Sequence, residues 1–256
     1  MRNTLRRVAF YVVLIAIWEL VARLRFWPEY LFPSPAEVVR VLGGGIVDST
    51  LLRGVAVSGR RIAEGYCLSL VVGVVLGLML ARLRVFEDVM GPILLGLRSL
   101  PSICWLPLGM LWFGLSEKAI LFVVLMGATF AVALATSDGV KNVPPVYLQA
   151  ASTMGVTGPR SFVRVTLPSA LPSVITGMKL GWAFAWRSLM AAEMVFVTLG
   201  LGHLLMMGRE LNDMARVIAA MIVIVALGML VDRVVFVTFE SRIRERWGLD
   251  SASAVG

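Results

Sequence analysis

Residues 119–136 carry no charged side chain, and that run constrains the chain more than any other feature. About 20 apolar residues in a helix cross the hydrocarbon core of a bilayer. Inside that layer every backbone polar group must be satisfied within the protein, so helices or closed barrels are the only spanning structures. Further apolar runs at 8–24, 62–81, 91–115, 171–199 and 217–239 bring the expected number of spans to six. The chain therefore reads as an all-α integral membrane protein embedded in a lipid bilayer. A soluble domain does not fit 59% hydrophobic and 16% charged residues in 256.

The formal net charge is +8. Its basic residues are scattered between apolar runs rather than gathered into a stripe, so they read as topology signals and no nucleic-acid partner is expected. An even span count places both basic termini on one side, Arg2, Arg6 and Arg7 with Arg242, Arg244 and Arg246. The positive-inside rule makes that side cytoplasmic. Arg82, Arg84, Lys141, Arg160 and Arg164 fall there too, whereas Arg40, Arg53, Arg60 and Arg61 fall outside, against the rule. That outer loop also contains Glu29, Glu37 and Asp48. The N-terminal arginines before an apolar run resemble a signal peptide, but Ile17-Trp18-Glu19-Leu20 offers no small-residue cleavage site, so an uncleaved first span is expected.

Proline and glycine punctuate the rest. Ser34-Pro35 predicts a helix start, serine capping and proline in the first turn, and Gly43-Gly44-Gly45 predicts its end. Residues 47–61 read as an amphipathic approach lying on the membrane surface. Gly73 and Gly77 form a small-xxx-small face in the second span, which lets another helix of the chain approach closely. Pro92, Pro101 and Pro107 make the third span irregular, and such breaks occur where protein or a water-filled cavity satisfies the freed backbone. The insert at 142–168 predicts two short helices: one opened by Pro144-Pro145 and closed by Gly155, another over 160–167 before Pro168. The residues alone leave two readings of it open, an ordinary inter-span connector or a docking surface.

Several chemistries lack their residues. None of Lys118, Lys141 and Lys179 stands in a Gly-Lys-Ser or Gly-Lys-Thr loop, so no ATP site is expected in this chain. His203 is the one histidine, which leaves neither a zinc motif nor a base for a serine nucleophile. No catalytic residue and no metal ligand is expected, and Cys67 and Cys104 read as small buried residues within apolar runs. Charges inside the spans carry more meaning, because burying them in lipid is costly and they tend to face a cavity. Arg98 and Ser102 lie in the proline-broken third span, and Arg187, Ser188 and Glu193 in the fifth. Two guanidinium groups can engage a planar oxyanion in bidentate fashion, which makes these five residues the candidate lining of a substrate pathway. The competing reading pairs Arg187 and Glu193 purely for packing.

Gln149-Ala150-Ala151, then Gly155, then Val165-Thr166-Leu167-Pro168 resembles the EAA loop of binding-protein-dependent ABC transporter permeases. The family pattern is Glu-Ala-Ala, three residues, Gly, nine residues, Ile-x-Leu-Pro. The spacing matches throughout, with Gln149 in place of the glutamate and Val165 in place of the isoleucine. The segment 31–38, Trp105-Leu106-Pro107-Leu108, Leu111-Trp112-Phe113-Gly114, Ala191-Ala192-Glu193 and Gly200-Leu201-Gly202 resemble the nitrate/sulfonate/taurine/bicarbonate branch, a likeness that covers about residues 8 to 248. The resemblance implies a six-span permease of the type I importer (MetI-like) fold in a bacterial inner membrane, paired with a second permease copy. It also implies two ABC ATPase subunits that bind ATP and magnesium, and an extracytoplasmic binding protein that delivers substrate. Gln149, Ala150, Ala151, Gly155, Arg160, Leu167 and Pro168 would then couple the chain to the ATPase. A secondary transporter and a non-transporting membrane scaffold are the alternative readings.

Overall fold

The computed structural model describes residues 2–196 and 198–238, and all of their regular structure is helical. In chain order the helices are α1 (Arg2–Arg23), α2 (Pro35–Val47), α3 (Thr50–Arg82), α4 (Arg84–Ser99), α5 (Leu106–Phe113), α6 (Glu117–Lys141), α7 (Pro145–Thr153), α8 (Gly158–Ser161), α9 (Leu167–Val195), α10 (Leu201–Glu210) and α11 (Met214–Val231). A tight 3-10 turn at Ser102–Trp105 precedes α5, and widened π-helical turns at Phe162–Thr166 and Asp232–Val237 precede α9 and follow α11. Phe239, the basic tail with Arg242, Arg244 and Arg246, and the end of the family likeness lie outside the described residues.

Among the described residues, Thr50–Arg82, Glu117–Lys141 and Met214–Val237 are long and apolar enough to cross a membrane. α4 and Ser102–Phe113, bent by 106° at their junction, make a fourth if taken as one broken span. α1 and α9, the two further spans expected from the sequence, are long enough but charged: Arg2, Arg6, Arg7, Glu19 and Arg23 in one, Lys179, Arg187 and Glu193 in the other.

The chain divides into two compact units. In the unit formed by residues 1–59 and 193–226, Ser34 caps α2 by accepting the Glu37 N–H at 3.3 Å. The expected stop at Gly43-Gly44-Gly45 does not occur, since α2 runs on to Val47. Val38 is buried against Ala215 and Ala219, with Trp18, Leu42 and Ile218 packed around them. Gly45 lies under Leu51, whose side chain would stand 2.7 Å from an added β-carbon. Packing of this kind offsets the roughly 1 kcal/mol that each glycine costs a helix. Asp48 follows, and its carboxylate accepts the Thr50 N–H at 2.8 Å to cap α3. That bond holds the exposed carboxyl below the usual carboxylate range, with a smaller pull from Arg216.

The surface-lying approach expected at 47–61 is instead the first part of α3, one continuous helix of 33 residues. Two of its polar residues are buried rather than solvated, Ser58 at 0% and Arg61 at 1% exposed, while Arg53 and Arg60 are exposed. In the unit formed by residues 60–192 and 227–256, Glu117 accepts from Arg61 Nη2 at 2.5 Å and Nε at 3.2 Å, and from Arg60 Nη2 at 3.0 Å. A buried guanidinium with a bidentate carboxylate partner tolerates what an isolated one would not. Farther along α3, Gly73 and Gly77 pack on α6 within the same chain. A β-carbon on Gly73 would lie 2.8 Å from Val132 and 2.9 Å from the Thr129 carbonyl oxygen, and one on Gly77 would strike the Ala133 carbonyl. Tyr66 donates to the Met178 carbonyl at 2.6 Å and meets Trp182 edge-on, and Trp182 stacks on Trp186.

The insert opens as expected, with Pro145 in the first turn of α7. The end of α7 is a full glycine closure. Gly155 has φ +76°, its N–H bonds Ser152 O at 3.0 Å, and the Val156 N–H bonds Ala151 O at 2.9 Å. The second short helix expected over 160–167 is not a separate element. α8 passes through the π-helical turn, where the Leu167 N–H reaches back to Phe162 O, and continues into α9 without a break at Pro168. Placing Pro168 and Pro172 so close to this wider turn removes two donors where the regular ladder is already interrupted.

Candidate functional site

Pro101 breaks the chain between α4 and the Ser102–Trp105 turn, and beside this break lies a cavity of about 340 Å³. Arg98 and Ser99 enter it from the last turn of α4, Ser102 and Ile103 from the 3-10 turn, and Phe184, Arg187 and Ala191 from α9. Arg187 donates from Nε to the Ala183 carbonyl at 3.1 Å, and its guanidinium carbon stands 4.8 Å from the Phe184 ring centre. Among the described residues neither Arg98 nor Arg187 pairs with a carboxylate. Both side chains are exposed in this chain. The hollow brings together two guanidinium groups, two serines and an aromatic ring, and guanidinium groups are chemically suited to bidentate hydrogen bonds with a planar oxyanion.

A narrower cleft of about 10 Å³ adjoins the cavity and shares Arg98, Leu100, Ser102 and Phe184 with it. That is room for about one water. Gly127 of α6 forms part of its wall: an added β-carbon would collide with Ser188 Oγ and come within 3.2 Å of Ser102 Oγ. Ser188 is fully buried behind this point and donates to the Phe184 carbonyl at 2.7 Å.

Of the five residues expected to line a pathway, Arg98, Ser102 and Arg187 share the cavity, while Ser188 stands behind its wall. Glu193 belongs to the other unit and is fully buried. Its carboxylate accepts from Ser58 Oγ at 2.7 and 2.9 Å and from the Gly202 N–H at 3.0 Å, and Ser58 Oγ in turn accepts the Leu201 N–H at 2.9 Å. Glu193 thereby serves the start of α10, where a helix leaves N–H groups unsatisfied and favours negative charge. Gly200 has no room for a side chain, since a β-carbon would sit 2.5 Å from the Glu193 carboxyl carbon. Sequence reading placed Ser99 beside Arg98 and Ser102 in the third span, but missed Ser58, Gly127 and Phe184. Ser58 is 135 residues from Glu193, and nothing local announces it. The Gly200-Leu201-Gly202 motif was visible, but not what packs against it.

The insert presents a second candidate surface. Ala151 is buried, while Gln149, Ala150, Gly155, Arg160 and Leu167 are exposed and Pro168 is half-buried. Val146, Tyr147 and Met154 are exposed apolar side chains around the same short helix. An open groove of about 460 Å³ runs between α7, the Gly158-Pro159 corner and Arg82 at the end of α3. The Arg82 guanidinium carbon stands 3.6 Å from the centre of the Phe162 ring.

Comparison with known proteins agrees with these features. Residues 73–245 match the family described as the binding-protein-dependent transport system inner membrane component. A protein of Methanocaldococcus jannaschii named for an ABC transporter permease role is 32% identical over 237 residues, covering 89% of this chain and 86% of its own. The taurine transport system permease protein TauC of Escherichia coli is 28% identical, covering 90% and 86%, and the nitrate import permease protein NrtB of Leptolyngbya laminosa is 28% identical, covering 91% and 87%. Among solved structures, a chain of the MetNI methionine ABC transporter matches with a TM-score of 0.66 at 18% identity, over 76% of this chain and 96% of that one. At that identity the likeness concerns the fold, which is the MetI-like permease fold. The chain belongs to the inner-membrane permease family of binding-protein-dependent ABC transporters. Both the family and the branch read from the sequence are recovered.

Proposed function

We propose that this permease carries a small oxyanion, of the sulfonate, taurine, nitrate or bicarbonate class, past Arg98 and Arg187, and takes its driving motion from ATPase subunits docked on residues 142–168. The observation that carries the substrate class is a pair of guanidinium groups, without a carboxylate partner among the described residues, in one cavity of about 340 Å³. Arginine within a spanning helix is costly in lipid, so a cavity that leaves two of them without carboxylates is organised for a visiting anion. Relatives named for taurine, aliphatic sulfonates, nitrate and bicarbonate support the same class.

The docking role of the insert rests on the exposed apolar side chains around α7 and on the glycine closure that presents them. Both termini and the insert lie on the cytoplasmic side in this reading. The outer arginines that conflicted with the positive-inside rule include Arg60 and Arg61, and both pair with the single carboxylate of Glu117, while Arg60 also pairs with Glu64. A second copy of the chain covers the face where Arg98 and Arg187 are exposed, two ATPase subunits bind ATP and magnesium, and a binding protein delivers substrate from outside.

The test is uptake of radiolabelled taurine, nitrate and bicarbonate by cells that express the complete transporter. Arg98→Ala and Arg187→Ala are each expected to lower uptake of one of these at least tenfold, about 1.4 kcal/mol, with ATPase subunits still co-purifying. Uptake at the wild-type level in both variants would sink the anion reading. Uptake that needs an ion gradient but no ATPase would favour a secondary transporter.

A further inference from the structure

We propose that α4 is the element that transmits motion from the insert to the anion cavity, gripped at its foot by Glu87–Lys141 and Arg82–Phe162. The inference rests on reading residues 142–168 as the ATPase-coupling segment. It adds which part of the permease receives the motion and through which contacts.

The insert is pinned where it leaves and rejoins the spans. At its roots Val140, Val143 and Ala170 bury one another, with Leu78 and Ala81 of α3 packed on them. Gly139 lets α6 approach the start of α9 so closely that a β-carbon would lie 2.7 Å from Ser173 and 3.3 Å from the Ala170 carbonyl oxygen. A displacement of α7 and α8 is therefore not absorbed at a slack junction.

Two contacts then reach from the insert and its root to one corner of the chain. Lys141, the last residue of α6, places Nζ 2.6 Å from Glu87 Oε1 in the first turn of α4. Phe162, just past α8, lies under the Arg82 guanidinium at 3.6 Å. Arg82 ends α3 and Arg84 begins α4, with Leu83 as the extended residue between them. One contact precedes the insert and the other lies near its end, so the corner is held from both sides.

From that corner α4 leads directly to the cavity. Glu87 stands near its start and Arg98 in its last turn, about 17 Å apart at 1.5 Å per residue. Along the way Leu94 is buried with Leu80 and Phe130, which keeps the helix on its neighbours. Moving the foot of such a helix moves its head, and the head holds a cation of the cavity. Packed elements transmit small shifts in this way because they rearrange between discrete states rather than deform continuously.

The test uses the permease purified with its cognate ATPase subunits in lipid nanodiscs. A reporter thiol is introduced by Ile103→Cys, on the cavity wall, after Cys67→Ala and Cys104→Ala. The probe is a membrane-impermeant maleimide, read with and without ATP and magnesium. In this parent, ATP is expected to change the labelling rate at position 103 at least about fivefold, within the usual range for coupled sites. Glu87→Lys is expected to abolish that response while ATP hydrolysis and co-purification are unchanged. The swap Glu87→Lys with Lys141→Glu is expected to restore it, which loss of fold would not allow. An intact response in both Glu87→Lys and the pair Arg82→Ala with Phe162→Ala overturns the proposal, and so does a swap that restores nothing. Gly155→Val, which forces a β-branched residue to φ +76°, separates the two levels. Loss of response there with retention in both Glu87→Lys and the pair Arg82→Ala with Phe162→Ala removes α4 alone from the account. Retention in Gly155→Val, or no ATP response in the parent, overturns the coupling reading beneath it.

Discussion

Arg187 and Glu193 stand six residues apart on α9 and have opposite surroundings. Glu193 is 0% exposed and accepts hydrogen bonds from Ser58 and Gly202, whereas Arg187 is exposed and, among the described residues, bonds a carbonyl one turn back along its own helix and lies against the Phe184 ring. Both are charges on a helix that the sequence reads as a span, and by that criterion alone both would be assigned to a pathway. Their partners separate them. Glu193 completes the start of α10 and holds a corner together, while Arg187 keeps its donors directed at a cavity. An intramembrane charge is informative about transport to the extent that its own protein has left it unsatisfied.

The comparison breaks most visibly at Glu193. Glu193→Ala strands the Gly202 N–H and the Ser58 hydroxyl in a buried site and is expected to destabilise the purified protein by about 2–5 kcal/mol, measured by thermal unfolding in detergent. Arg187→Ala is expected to leave the same transition within about 0.5 kcal/mol. Equal destabilisation by the two would erase the distinction. A smaller effect is expected from Gly127→Ala, which places a methyl group against Ser188 and Ser102 at about 1–3 kcal/mol of overpacking. Its uptake should fall further than its stability, and a variant that transports normally would remove the cleft beside Gly127 from the passage. The smallest effect belongs to Asp48, outside the spans. Its carboxyl is held below the usual range, so its contribution is present above the ordinary carboxylate pKa and fades as pH falls through the lowered value. Asp48→Asn keeps an acceptor for Thr50 and should unfold like wild type at neutral pH, without that acid-dependent loss.

Much of this fold is legible in the sequence because it depends on local chemistry. The uncharged run at 119–136 lies within α6, Ser34-Pro35 begins α2, and Gly155 closes α7 with the left-handed φ that a glycine supplies. What could not be read depends on partners far away in the chain. α2 continues through three glycines because Ala215 and Ala219 receive its Val38. α3 continues through Arg60 and Arg61 because Glu117 meets them from 57 and 56 residues on. The site was half visible: Arg98, Ser102 and Arg187 were identifiable as charge and hydroxyl inside apolar runs, but Gly127 and Phe184 are an ordinary glycine and phenylalanine until packing brings one to the wall of the cleft and the other to that of the cavity.

The cleft beside Gly127 also bears on hydration. With room for about one water, it holds no hydrated ion, so a solute that entered it would leave its water shell behind and would need the Arg98 guanidinium and the Ser102 hydroxyl in its place.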